Sequence, residues 1–300
     1  MKLLLFGKNG QVGWELQRSL AVVADVVALD RASQEHCADL GDLEGIARTV
    51  RQVRPDVIVN AAAYTAVDRA ESETALAHTV NGAAPGVLAL EAQRLGAWLI
   101  HYSTDYVFDG SGSRAWVETD TPAPLSVYGR SKLEGERAIA KICERHLILR
   151  TSWVYAARGG NFIKTMLRLA QERDRLTVID DQYGAPTGAE LLADVTAHLI
   201  PRLLAPANGG QDLAGTYHLA AAGQTTWHGY ANHVLAEALR LKPEMRFTAT
   251  EVAPVTTEAF VTAARRPLNS RLDMAKLRET FGLNLPPWQQ GVDRVLAEIL

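Results

Sequence analysis

Residues 3–16 read LLLFGKNGQVGWEL: a short apolar run, then Gly7, Gly10 and Gly13 in a G-x-x-G-x-x-G spacing, then the opening of a helical stretch. An apolar run this short, bounded by glycine, reads as a buried strand. Glycines at this spacing allow a tight turn and close backbone approach. The helix that follows offers free N–H groups and partial positive charge to a pyrophosphate. The stretch is therefore read as strand, phosphate-binding turn and helix, the start of a dinucleotide-binding sheet.

Outward from this turn the pattern repeats. Strand-like runs recur at DVVAL (25–29), DVIVNAAA (56–63), AWLIHYS (97–103) and HLILRTSWVY (146–155), with helical stretches such as DLEGIARTVRQV (42–53) and GAAPGVLALEAQRLG (82–96) between them. Strands alternating with helices of this length imply βαβ units and a parallel sheet. The fold class expected is α/β, a doubly wound, Rossmann-type parallel sheet with a smaller, interleaved α/β domain. Beyond residue 155 the alternation loosens into a helix at 161–173, a loop at 180–190, a helix at 191–200, a strand at 215–221, a helix near 226–240 and a proline-punctuated tail. The domains expected are 1–150 with roughly 186–220 for the cofactor, and 151–185 with roughly 221–300 for the substrate.

Composition narrows the function. The 300 residues are 47% hydrophobic and 22% charged with a formal net charge of −3, an ordinary globular balance that lacks the basic face nucleic-acid binding needs. The opening MKLLLF is too short for a signal-peptide core, and no apolar stretch approaches the about 20 residues of a membrane span, so a cytoplasmic protein is expected. Cys37 and Cys143 stand without CxxC partners and read as free thiols. The histidines show no zinc spacing; His228 and His233 fit one helix face poorly.

In doubly wound sheets ligands sit beyond the carboxyl ends of the strands. Asp30 closes the second strand, where a carboxylate would accept a hydrogen bond from an adenosine ribose 2′-OH, and Arg31 beside it would pair with a 2′-phosphate. Either NADH or NADPH is compatible with that pair, and so is a solvated turn. The run IHYSTDYVFDG (100–110) sets Ser103, Thr104 and Asp105 at the end of another strand, where a hydroxyl can bind a substrate carbonyl. In YGRSKLEGE (128–136), Tyr128 and Lys132 lie four residues apart, about 5–6 Å on one helix face, close enough for both tips to reach one small ligand.

Six segments in order, FGKNGQVGWEL, PDVIVNAAAYTAVDRAE, HYSTDYVFDG, YGRSKLEGE, RTSWVY and DQYGAPTG, give the chain a resemblance to the extended short-chain dehydrogenase/reductases that runs from Met1 to the C-terminus. The branch it resembles reduces the C4 ketone of dTDP-6-deoxy-L-lyxo-4-hexulose to dTDP-L-rhamnose with NADH or NADPH. The resemblance makes Tyr128 the proton donor, Lys132 the residue that holds the nicotinamide ribose and favours the ionised phenol, and Thr104 the group that orients the ketone. It extends the cofactor contacts to Gln11, Val12, Asp39, Leu40, Ala63, Tyr64, Thr65 and Tyr102. Substrate contacts fall on Thr104, Asp105, Thr65, Val67, Trp153 and Arg266. Trp153 also reads as a packed core residue, and Arg265 with Arg266 as an exposed basic turn. Asp105-Tyr106 stands where the related dehydratases carry Asp-Glu, which favours plain carbonyl reduction. The resemblance further implies a homodimer whose interface gathers Glu15, Glu190 and Glu298 around Mg²⁺. These three also read as ordinary solvated glutamates, with Glu15 pairing across one turn with Arg18. A second reading is a non-catalytic interaction subunit of the same fold, as the regulatory subunit of methionine adenosyltransferase is.

Overall fold

The run at residues 3–6 is buried on both sides: Leu3 and Leu5 face one core, Leu4 and Phe6 the other, all sealed from solvent. Two-sided burial explains a strand that is apolar without alternation. In the computed structural model, which describes residues 1–205 and 213–300, this is β1 (Lys2–Phe6). It is followed by α1 (Gln11–Leu20), β2 (Asp25–Leu29), α2 (Leu43–Val53), β3 (Val57–Asn60), α3 (Val67–Ala70), α4 (Thr74–His78), α5 (Ala84–Leu95), β4 (Trp98–Thr104), α6 (Val127–Ile142) and β5 (His146–Thr151). The second half adds β6 (Val154–Tyr155), α7 (Phe162–Glu172), β7 (Arg175–Ile179), β8 (Tyr183–Gly184), β9 (Thr187–Gly188), α8 (Ala189–Leu203) and β10 (Gly215–His218). It closes with β11 (Thr225–Thr226), α9 (Trp227–Leu241), β12 (Glu251–Val255), α10 (Ala275–Phe281) and α11 (Trp288–Ile299).

Six strands form one parallel sheet in the order β10-β5-β4-β3-β1-β2. Helices α1 and α8 cover one face through Leu16, Leu20, Leu192 and Leu199; α2, α5 and α6 cover the other through Ile46, Val50, Leu88 and Ile139. The fold is Rossmann-type and doubly wound. A third core lies outside it, where Met166, Val178, Tyr230 and Val292 bring together α7, β7, α9 and α11, and where β7 pairs with β12. The chain leaves the large sheet after β5, returns for α8 and β10, leaves again, and comes back once more with α10, whose Leu277 and Phe281 join the core under α8, so the smaller α/β layer is interleaved with the larger.

The structure corrects several boundaries. The expected strand 56–63 stops at Asn60, and the run 146–155 breaks after Thr151 because Trp153 takes a left-handed backbone, φ 49°, before β6. The expected loop 180–190 holds the two-residue strands β8 and β9, too short to show periodicity, and β7 was not anticipated. In the tail, β12 carries Pro254 within it; β7 is the neighbour with which it pairs, so the missing N–H is tolerated as on an edge strand.

Helix α6 is fixed to β5 by a buried ion pair. Arg150 Nε and Nη2 donate to Glu136 Oε1 and Oε2 at 2.9 and 2.6 Å, and both side chains are about 5% exposed. Removing one partner leaves an uncompensated buried charge. Glu136→Ala should therefore cost about 3–5 kcal/mol, read as a lower urea midpoint with an unchanged slope. A loss below about 1 kcal/mol would show that Arg150 finds water in the variant.

Candidate active site

The glycine turn is dictated by contact. Gly7 has φ +91°, and a Cβ there would stand 2.7 Å from the Ala62 nitrogen; one on Gly13 would stand 2.0 Å from the Gly7 oxygen. Gly10 caps α1 without a side-chain hydrogen bond, leaving the first amides of the helix, at Gln11, Val12 and Gly13, to a ligand. The close-packed turn and uncapped helix end fit a dinucleotide pyrophosphate. At the end of β2, Asp30 accepts hydrogen bonds from the Asn9 amide, Ser33 Oγ at 3.0 Å and Ala32 N at 3.1 Å. Burial pushes its carboxyl up, but Ser33, the Lys8 charge and these bonds outweigh it and hold it below the usual range. Arg31 is exposed beside it. Asp39 accepts the Gly41 amide at 2.9 Å, whereas the Leu40 side chain is core.

At the other end of the crevice, Ser126 caps α6 by accepting the Gly129 amide at 3.2 Å. A Cβ on Gly129 would stand 2.2 Å from the Tyr106 oxygen, so the helix sits hard on the turn after β4. That contact sets Tyr128 beside Thr104, with the Tyr106 and Tyr128 rings edge to face at 5.5 Å. Thr104 Oγ accepts the Tyr106 amide at 3.2 Å and donates to Asp105 Oδ1 at 3.1 Å. Burial pushes the Tyr128 phenol up to about 12, a hydrogen bond with Thr104 opposing and the Asp105 charge assisting. Burial likewise raises the Asp105 carboxyl to about 6, against hydrogen bonds from Ser270 and Thr104. Asp105 Oδ2 has no hydrogen-bond partner among the described residues.

Lys132 lies one turn deeper and differs from expectation. Its amine donates to the Tyr102 carbonyl at 2.6 Å and stands 3.1 Å from His101 Nε2. Burial lowers the amine to about 8, with Glu136 opposing. The rise of the Tyr128 phenol is set by burial, with no part played by the Lys132 charge. Tyr102 also differs: its hydroxyl lies 2.6 Å from Thr196 Oγ1 on the far face of the sheet, and only its carbonyl meets Lys132.

Between the two ends runs the segment 61–65. Before α5 the chain makes a π-helical turn, Thr79–Ala83, from which Asn81 Oδ1 accepts the Tyr64 amide at 2.8 Å while its Nδ2 donates to the Tyr64 carbonyl at 3.0 Å. Asn81 Nδ2 also reaches Ser131 Oγ of α6 at 3.1 Å, linking the segment that holds Ala63, Tyr64 and Thr65 to the helix of Tyr128. Thr65 is exposed, and Val67 opens α3 one residue before Asp68.

A cleft of about 520 Å³ opens toward the smaller layer, lined by Phe162, Gln182, Trp227, Phe260 and Arg266. Trp153 stacks on Trp227 at 3.8 Å, and its edge fills the space a Cβ on Gly184 would take. Arg266 Nη2 donates to Asp68 Oδ2 at 2.6 Å and the guanidinium also bonds Tyr106, whose ring meets that of Tyr128; Arg265 is exposed. Sequence reading missed Asn60, His101, Asp68, Phe162 and Trp227. Asn60 was detectable as a polar residue closing an apolar strand run, and His101 as one in the middle of a fully buried strand.

Within a single chain the three glutamates do not form one cluster. Glu15 lies near enough to Glu190 to raise its carboxyl, after burial, but Glu298 is exposed two turns along α11 from Gly291, beside which Glu190 lies. Among the described residues no three acidic, histidine or cysteine side chains gather as a metal-holding group.

Comparison with known proteins gives the family. The family model described as RmlD substrate binding domain matches residues 1–300. The chain is 56% identical to dTDP-4-dehydrorhamnose reductase of Salmonella typhimurium and 54% identical to that of Escherichia coli K12, in each case over 100% of this chain and 98% of the relative. Among solved structures it superposes on dTDP-4-dehydrorhamnose reductase of Bacillus anthracis in complex with NADP, with a TM-score of 0.88, 34% identity and 99% of both chains covered. The chain belongs to the dTDP-4-dehydrorhamnose reductase family of enzymes.

Proposed function

We propose that the chain reduces the C4 ketone of dTDP-4-dehydro-L-rhamnose to dTDP-L-rhamnose, using NADPH or NADH. The observation that carries this reading is the Tyr128 phenol beside Thr104 at the carboxyl edge of the sheet, in a chain whose relatives bear that reductase name. The nicotinamide cofactor, when bound, supplies the hydride for C4. Residues 1–150 with 186–220 hold it, and 151–185 with 221–300 hold the sugar nucleotide.

Each side chain has a task that its surroundings support. The Thr104 hydroxyl orients the ketone oxygen. Tyr128, with a phenol near 12, keeps its proton at neutral pH until negative charge develops on that oxygen, and then gives it up. Lys132 holds the nicotinamide ribose. Asp30 reads the adenosine ribose, and Arg31 receives a 2′-phosphate where there is one. Phe162, Trp227 and Phe260 present flat apolar surface to the base, and Arg266, steadied by Asp68, presents a fixed fork to the diphosphate.

Tyr128→Phe should lower kcat by about 10²–10⁴ while cofactor affinity stays within about twofold, because only the proton donor is lost. Stopped-flow and steady-state NADPH oxidation with the keto-sugar nucleotide measure this, and an unchanged kcat would sink the assignment. Arg31→Ala should weaken NADPH about tenfold and leave NADH nearly unchanged, as fluorescence titration with each cofactor would show. Equal weakening of both would remove Arg31 from 2′-phosphate recognition.

A further inference from the structure

We propose that Tyr106 is a positioning residue that couples the Arg266 guanidinium to the Tyr128 phenol, so that a diphosphate seated on the cation settles the proton donor. The inference rests on the reading above, in which Arg266 receives the diphosphate and Tyr128 gives up the proton.

Tyr106 meets both ends of that path from a fixed backbone. It lies in the single turn of 3₁₀ helix, Asp105–Val107, that follows β4. Its amide donates to Thr104 Oγ at 3.2 Å, and its carbonyl oxygen lies so close to α6 that a Cβ on Gly129 would stand 2.2 Å from it. The side chain therefore turns only about its own bonds. Its ring meets the Tyr128 ring edge to face, with centroids 5.5 Å apart and planes at 79°. Aromatic pairs prefer an angle as well as a distance, so a displaced Tyr106 ring carries its neighbour with it. At the far end of the ring, the hydroxyl accepts a hydrogen bond from Arg266, because a guanidinium has donors only.

Arg266 is held from its other side as well. Asp68 Oδ2 accepts from Nη2 at 2.6 Å and Oδ1 from Nη1 at 3.2 Å, while Oδ1 also accepts the Ala264 amide at 3.1 Å. The cation thus stands between a carboxylate at the start of α3 and a phenol just past the end of β4. Asp68 and Arg266 both line the cleft that opens toward the smaller layer. An anion entering there shares the guanidinium with Asp68 and draws or pins it with the Tyr106 hydroxyl attached. Through the ring pair this reaches Tyr128, whose phenol bonds Thr104. Attraction for a part of the substrate that does not react is in this way spent on orienting the group that does.

Tyr106→Phe removes the hydroxyl and keeps the ring. In steady-state NADPH oxidation with the keto-sugar nucleotide, Y106F should lower kcat about tenfold, less than a 1 Å misplacement costs. Its KM for the sugar nucleotide should stay within about threefold, since Asp68 still steadies Arg266. Arg266→Ala should raise KM and lower kcat; placed on Y106F it should keep the KM effect and add no further loss of kcat. An unchanged kcat in Y106F overturns the proposal, as does an R266A loss of kcat that is equal with and without the hydroxyl. A second readout needs neither turnover nor a variant at Tyr106. The Tyr128 resonance of the NADPH-bound full chain, labelled with ¹³Cζ-tyrosine and assigned with Tyr128→Phe, should move on saturation with dTDP and stay in place with thymidine, which lacks the diphosphate. A resonance that dTDP leaves in place, or that thymidine moves equally, overturns the coupling. A wild type that gives the dTDP response and yet does not oxidise NADPH with the keto-sugar nucleotide fails the proposed reduction alone.

Discussion

Helix α6 meets the sheet through two buried polar pairs on one of its faces, and the geometry of the site depends on them. Lys132 rests on His101 and the Tyr102 carbonyl, and one turn on, Glu136 is gripped by both prongs of Arg150. Tyr128 precedes them on the same stripe, since positions four apart lie above one another. Apolar residues of similar volume could stabilise the contact equally well. They would not fix rotation of the helix about its axis, which the bidentate fork does. A small rotation of α6 carries the phenol off Thr104, so directional contacts along this stripe have a consequence at the reacting end.

A second constraint joins the two ends of the crevice. The segment after β3 is held on one side by the turn at Gly7, where no Cβ fits, and on the other by Asn81, which brackets Tyr64 and touches Ser131 of α6. Asn60, at the end of the strand itself, reaches across to His101. The residues that would bind phosphate and those that would move a proton therefore share one short piece of backbone, and a shift at either end is felt there.

Much of this was legible in the sequence, for identifiable reasons. The parallel sheet declared itself because strands buried on both faces must be apolar throughout, as Leu3 to Phe6 are. The phosphate turn was legible because only glycine fits at residues 7 and 13. Thr104 and Asp105 were legible as a hydroxyl and a carboxyl at a strand end, and Tyr128 by its four-residue spacing from Lys132. The orientation of Lys132 was not. Four-residue spacing places a side chain on a face but does not say which partner across the interface captures its tip, and here β4 captures it. Trp153 likewise belonged on paper to one long strand, whereas its left-handed backbone turns the ring onto Trp227. Arg266 was picked out as a cation; that Asp68 steadies it depends on a contact between segments 198 residues apart.

Burial gives the site its electrostatic character. It moves the Asp105 carboxyl to about 6, the Tyr128 phenol to about 12 and the Lys132 amine to about 8, each toward its neutral form. The charges nearby are already compensated, Arg266 by Asp68 and Glu136 by Arg150. A ketone entering such a crevice meets the neutral phenol and the Thr104 hydroxyl, while Asp105 at about 6 and Lys132 at about 8 remain mainly charged at neutral pH. When negative charge grows on its oxygen, that charge is poorly screened by water and interacts strongly with the nearest O–H groups, those of Thr104 and Tyr128. The burial that keeps the phenol a reluctant acid in the resting protein is thus the condition under which its proton transfer to the developing oxyanion is most favoured.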